Sequence, residues 1–257
     1  MEKSYTEINS KAIDKWNKNG WEWGVNITHE EFIKACNGYW NVLLTPKKFV
    51  PHEWFLPFLK DGRLDGAKLL GLASGGGQQM PVFSALGAEC TVLDYSDSQL
   101  ESERIVAERE GYSINIIKAD MTQRLPFCDE AFDIIFHPVS NCYIEDIIHV
   151  WNECYRVLRK GGVLLAGLDN GINFLFDEED SLSIVNKLPY NPLKNEELYK
   201  SCMQQTDGSI QFSHTIEEQI GGQLKAGFTL TDLYEDSDDT GIGEYIPNFL
   251  ATRTIKV

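Results

Sequence analysis

Ala67-Lys68-Leu69-Leu70-Gly71-Leu72-Ala73-Ser74-Gly75-Gly76-Gly77-Gln78 is the stretch on which the fold of this chain turns. An apolar strand enters a turn almost bare of side chains. A helix follows, because Pro81 is tolerated only in a first helical turn. A strand, a bare turn and a helix N-terminus together offer backbone N–H groups and a positive dipole end to an anion. Seventeen residues after Gly77, a second strand (90–93) ends in Asp94. An acid at the tip of the neighbouring strand is placed to accept hydrogen bonds from ribose hydroxyls. The pattern predicts a holder of a nucleoside-bearing cofactor.

Outward from this stretch, strand-like and helix-like segments alternate. The strands read as 67–73, 89–94, 113–118, 131–136 and 162–168, with helices at 78–87, 97–110 and 143–159. Such alternation predicts a parallel sheet with helices on both faces. Ser96-Asp97-Ser98-Gln99 has the form of a capping box, as does Thr215-Ile216-Glu217-Glu218, which opens a helix ending near Gly227. Ile144, Ile147, Ile148, Trp151, Tyr155 and Leu158 fall on one helical stripe, and Lys160-Gly161-Gly162 reads as the stop of that helix. Strands at 228–234 and 248–256 bring the count to seven.

Two regions stand outside the alternation. Residues 1–60 hold five of the six tryptophans, Trp16, Trp21, Trp23, Trp40 and Trp54. They read either as an aromatic lid or as a helical addition packed on the sheet. Residues 171–214 carry Phe174, Phe176, Tyr190, Tyr199 and the acidic run Asp177-Glu178-Glu179-Asp180. This connection is too long for an ordinary loop and reads as a cover or a small subdomain.

The charge balance, 23 basic against 39 acidic residues, argues against a nucleic-acid partner, which needs a basic face. The six cysteines form no Cys-x-x-Cys pair, so buried thiols are expected and no metal site. There is no secretory h-region and no run of 18 apolar residues, so the expectation is a cytoplasmic protein with no membrane partner.

Three stretches resemble the class I S-adenosylmethionine-dependent methyltransferases. The first is Leu70 to Gly77, similar to the family's acid-x-Gly-x-Gly-x-Gly. The second is Val92-Leu93-Asp94-Tyr95-Ser96. The third runs from Lys118-Ala119-Asp120-Met121 through Leu125-Pro126-Phe127 and Phe132-Asp133-Ile134-Ile135-Phe136 to Arg156-Val157-Leu158-Arg159-Lys160-Gly161-Gly162. The resemblance covers residues 67 to 170 well and the last two strands weakly. Two positions depart from it: Gly71 stands where relatives carry an acid that helps bind the methionine amino group, and Ala73 replaces a glycine. That amino contact then falls to backbone carbonyls or to another segment.

The resemblance implies a single Rossmann-like α/β domain over 1–257. Its sheet is seven-stranded and mostly parallel, in the order 3-2-1-4-5-7-6, with 1–60 as a cap and 171–214 as part of a substrate cover. It implies S-adenosyl-L-methionine as cofactor, with Ala73, Ser74, Gly75 and Gly77 at the turn and Asp94 on the ribose. Tyr95 would lie beside the adenine or ribose, and Asp120 and Met121 at the adenine edge. His137 follows the fourth strand and is the candidate for lining the site or acting as a base, with Asn141 nearby. A base is needed only if the accepting atom must lose a proton. The expected activity is direct methyl displacement onto a small molecule. A non-catalytic S-adenosylmethionine-binding protein remains open, as does a nucleotide-dependent oxidoreductase, for which Gly71-x-Ala73-x-x-Gly76 is a strained dinucleotide fingerprint.

Overall fold

The computed structural model describes residues 4–176 and 183–257; the acidic run 177–180 lies outside them. Seven strands form one sheet: β1 (Lys68–Leu72), β2 (Glu89–Asp94), β3 (Asn115–Lys118), β4 (Phe132–His137), β5 (Leu158–Asp169), β6 (Phe228–Asp236) and β7 (Phe249–Lys256). Their order is 3-2-1-4-5-7-6, and β7 alone runs antiparallel, inserted between β5 and β6. This is the expected Rossmann-like arrangement.

The two faces of the sheet follow from the strand period of two. Leu69, Ile134, Phe136 and Leu165 point to one side, where they join α3 (Gln79–Ala85), α4 (Asp97–Glu110) and the core residues of the N-terminal region. Leu70, Ile135, Leu164 and Leu168 point to the other, under α5 (Ile147–Val157) and α7 (Gly222–Ala226). Strands buried on both faces explain the continuous apolar runs in the sequence. A π-helical stretch, Glu217–Gly221, leads into α7, and the Thr215–Glu218 capping box is made in both directions.

The helix expected over 143–159 is shorter. It starts at Ile147, capped by the Asp146 carboxylate, and its buried face is Ile147, Val150, Trp151, Cys154 and Val157. Lys160-Gly161-Gly162 does not stop it. The chain passes from α5 straight into β5, and these residues form a bulge: Phe132 pairs with Leu158, but Ile134 pairs with Val163. Arg159 in the bulge binds Asp133 and lies over the Phe58 ring, which anchors the irregularity.

The N-terminal region is partly helical, with α1 (Tyr5–Lys18) and α2 (His29–Cys36). Between 171 and 214 the described residues include one α-helix, α6 (Glu196–Gln205). No helix of the described residues is long and apolar enough to cross a membrane.

Candidate active site

A cavity of about 530 Å³ opens at the carboxyl ends of the strands. Its first wall is the glycine turn and its surroundings: Ala73, Ser74, Gly75, Asp94, Tyr95 and Met121. These are six of the nine residues expected at a cofactor.

The turn is tied inward. The Ala73 amide donates to Leu93 O (2.8 Å), the Gly76 amide to Gln99 O (3.0 Å) and the Gly77 amide to Glu103 Oε1 (2.8 Å). These N–H groups are therefore spent on β2 and α4 rather than offered to an anion. Gly77 does not line the cavity, contrary to expectation. A Cβ there would meet Asn26 Oδ1 at 2.8 Å and Val106 at 3.0 Å, so the glycine admits α4 and the N-terminal segment. Gly76, at φ +102°, has the same role: its Cβ would lie 2.4 Å from Trp23 O. Gly71 is glycine because the Met80 side chain fills its Cβ position, with Sδ only 2.5 Å away. An acid there would have to displace the Met80 side chain, which fits the departure from the family pattern.

Asp94 sits at the tip of β2, 7% exposed. Its Oδ1 accepts from the Ser96 amide (2.9 Å), while its Oδ2 receives only a long contact from the Gly75 amide (3.4 Å). One carboxylate oxygen thus retains lone pairs toward the cavity. Burial pushes the group up to about 6, against the opposing bonds from Ser96 and Gly75. Asp120 lies outside the main cavity, in a recess of about 20 Å³ that shares Ala73, Asp94, Tyr95 and Met121 with it. Its Oδ1 holds the Thr122 amide at 2.9 Å. The Tyr95 hydroxyl is buried without a partner among the described residues. An acceptor at the β2 tip, an adjoining recess with a second acid and a close glycine turn fit a ribose and its base.

His137 does not line the cavity. It is fully buried, packs edge-on against Trp151 (5.9 Å) and spends both ring nitrogens: Nδ1 on Leu72 O and Nε2 on Asn141 Oδ1, each at 2.9 Å. Asn141 continues to Gln219 Oε1 (2.9 Å), and Gln219 to Asp169 O (3.2 Å). This chain begins and ends on carbonyl acceptors, so it is fully bonded only around an imidazolium. Burial opposes that charge and lowers the histidine's pKa. Neither nitrogen is free to take a proton from an acceptor. The histidine is a strut between β1, β4 and the π-helical turn.

The opposite wall comes from distant segments. Leu43 to Pro46 arrive from the N-terminal region, and Phe174, Phe176 and Tyr190 from 171–214. Trp21 and Trp23 belong instead to the turn's side, where Gln78 Nε2 donates to Glu22 O and Val25 O. Phe174 stacks on Tyr190 with centroids 5.5 Å apart. Gly167 in β5 makes room for the 43–46 strap, since a Cβ would lie 2.0 Å from Leu44 O. Not every tryptophan serves the cavity. Trp40 stacks on His52 at 3.9 Å inside the core, and Trp54 donates to Asp232 from a buried position. Gln78, Gln79, Gln99, Asp169 and the β6–β7 connection (Asp238, Thr240, Gly241, Ile242) also line the cavity. Sequence reading missed these. Only Asp169, at the end of a strand, carried a positional hint.

The methyltransferase-domain family matches residues 70–166. The chain is 41% identical over 254 residues, 97% of each chain, to the uncharacterized methyltransferase YbaJ of Bacillus subtilis (strain 168). It is 32% identical over 115 residues to the sterol 24-C-methyltransferase erg6 of Aspergillus fumigatus, covering 44% of this chain and 30% of that one. Among solved structures, an S-adenosylmethionine-dependent methyltransferase from Mesorhizobium loti superposes with TM-score 0.60 at 18% identity, over 78% of this chain and 94% of that one. Geranyl diphosphate methyltransferase in complex with SAM gives 0.54 at 17%, over 80% and 84%. A relative matched from end to end, on a sheet whose strands already stand in this order, places the chain in the class I S-adenosylmethionine-dependent methyltransferases.

Proposed function

We propose that this enzyme methylates a small molecule held inside the cavity, against the wall opposite Asp94. The observation that carries the reading is the cavity's two-sidedness. Strand-tip residues of β1 and β2, with Trp21 and Trp23 beside the glycine turn, form one side, and the 43–46 strap with the aromatic residues of 171–214 forms the other. A cleft of this size that combines aromatic walls with placed polar groups is a usual form of a small-molecule site. A formal charge of −16 disfavours nucleic acid.

In this reading Asp94 accepts the ribose hydroxyls, with Gly75 close by and Tyr95 alongside. Asp120 and the Met121 backbone serve the adenine edge through the recess. Ser74 and Gln79, which share a 3.2 Å hydrogen bond in the wall, stand at the methionine end. S-adenosylmethionine supplies a methyl group already activated on a sulfonium. The protein's task is then alignment and exclusion of water. Trp21 and the Leu43–Pro46 strap cover the strand ends, and Phe174 and Tyr190 shape the acceptor's place.

The test is transfer of labelled methyl to fractionated cell material. The expected result is label in a metabolite extract and none in tRNA, DNA or protein. Robust labelling of nucleic acid at moderate salt contradicts the reading.

A further inference from the structure

The acceptor side of the cavity has an uneven chemistry. Asp169, at the end of β5, and Asp238, in the β6–β7 connection, both line it. Among the described lining residues there is no lysine, arginine or histidine. The acids are held by neutral donors only. Asp169 Oδ1 accepts from the Gly171 amide, and Asp238 Oδ1 from Asn248 Nδ2 (2.9 Å) and the Thr240 amide (3.1 Å). Among the described residues neither forms an ion pair. Burial, with Asp238 adding to it, pushes Asp169 up to about 7. Carboxylates that share a half-dry cavity without a counter-charge gain most from a ligand that brings a cation. The rest of the wall mixes neutral polar residues, among them Asn173, Gln205 and Thr240, with aromatic ones. Phe174, Tyr190 and Phe249 line it, and aromatic rings attract cations and also bury an apolar body.

Resting on the methyltransferase reading above, we propose that the acceptor cavity recognises a small amine, with its ammonium held by Asp169 and Asp238 and its apolar body against Phe174, Tyr190 and Phe249. The β5 end is separated from β1 by β4, so these acids stand apart from the glycine turn and Asp94. Neutral alcohols of the same shape lose the charge-assisted bond, and carboxylates meet repulsion.

The experiment is calorimetric titration of the full-length protein saturated with S-adenosylhomocysteine, at mildly alkaline pH. Matched probe sets share one body: 2-phenylethylamine, 2-phenylethanol and 3-phenylpropanoate; tryptamine, tryptophol and indole-3-propanoate; hexylamine, hexanol and heptanoate. Within a set the amine is expected to bind about tenfold or more tighter than the alcohol, the range of one hydrogen bond to a charged group, with the carboxylate weakest. Asp169→Asn and Asp238→Asn are each expected to remove most of that preference while S-adenosylhomocysteine binds as before. The proposal is overturned if in every set the amine binds no better than the alcohol, or if no amine binds at millimolar concentration. It is also overturned if Asp169→Asn weakens S-adenosylmethionine but leaves S-adenosylhomocysteine and amine preference untouched, since the acid then serves the sulfonium. Failure of S-adenosylhomocysteine to bind the wild-type protein is a different outcome and breaks the methyltransferase reading instead.

Discussion

At the Asp94 end of the cavity the wall is built around the tips of β1 and β2 and the turn between β1 and α3, with Met121 and the Trp21–Trp23 segment added to them. At the Asp169 end it is assembled from four separate segments: the 43–46 strap, the end of β5, the 171–214 connection and the β6–β7 loop. The first wall is fixed by backbone: amide bonds to β2 and α4, and glycines where a Cβ meets Trp23 or Met80. The second is fixed by side chains that meet only after folding. A wall of the first kind tolerates little change and serves one constant ligand. A wall of the second kind can be altered residue by residue, and is where specificity for an acceptor can reside.

That contrast predicts where substitution does most damage. Gly76→Ala combines a left-handed backbone with a Cβ 2.4 Å from Trp23 O and 2.6 Å from Gln99 Oε1. Strain of about 1–3 kcal/mol and the clash add together, so stability should fall by roughly 3 kcal/mol, with cofactor binding impaired as well. Denaturant melting checks this; a variant as stable as wild type would show that the cap does not close on the turn.

His137→Ala should act on stability next, by about 2–3 kcal/mol, because it takes the imidazole from the Leu72 carbonyl and from Asn141 Oδ1 in the interior. The affinity for S-adenosylhomocysteine, measured under conditions where the variant is folded, should move by less than about 1 kcal/mol. A variant that keeps its melting temperature but loses affinity would return the histidine to the cofactor wall.

An effect that depends on pH is expected at Glu103, which anchors the turn from α4. Its Oε1 holds the Gly77 amide, its Oε2 is buried without a partner, and burial pushes its pKa up to about 8. The folded group keeps its proton after an unfolded glutamic acid has lost one. Its contribution to stability is therefore present at low pH and declines as pH rises from about 4.5 through 8. Glu103→Gln keeps the acceptor for Gly77 and removes the titration. It should match wild type near pH 5 and melt several degrees higher near pH 9, at about 2–4 °C per kcal/mol. A gap that is constant across pH would mean that Glu103 is ionised in the fold throughout.

How far the sequence reveals this molecule follows the same contrast. Strand order, the glycine turn and Asp94 at the β2 tip are legible because they depend on local periodicity and on neighbours close in sequence. Even there the reasons differ. Gly77 is required by Asn26 and Val106 rather than by a ligand, and the Ser96 capping box is half made, with Ser96 holding the Gln99 amide while the Gln99 side chain turns to Trp23 O. His137 shows the limit. Its position after β4 suggests chemistry, but Leu72 and Trp151, distant in sequence, and Asn141, four residues on, close both nitrogens and one edge. Trp40 and Trp21 are indistinguishable as sequence, and only packing sends one to the core and the other to the cavity. Asp238 lies in a loop with no periodic signal, and its proximity to Asp169 is a product of the β5–β7–β6 pairing.

The division of labour between the two walls is tested most directly by paired calorimetric titrations of S-adenosylhomocysteine into Asp94→Asn and Phe174→Ala. The first substitution keeps a side-chain oxygen for the Ser96 amide but removes a charged acceptor, whereas Phe174 contributes only aromatic wall at the other end. We predict a loss of about 1.5–3 kcal/mol in affinity for the first and less than about 0.5 kcal/mol for the second. Equal losses, or the larger loss at Phe174, would contradict the account.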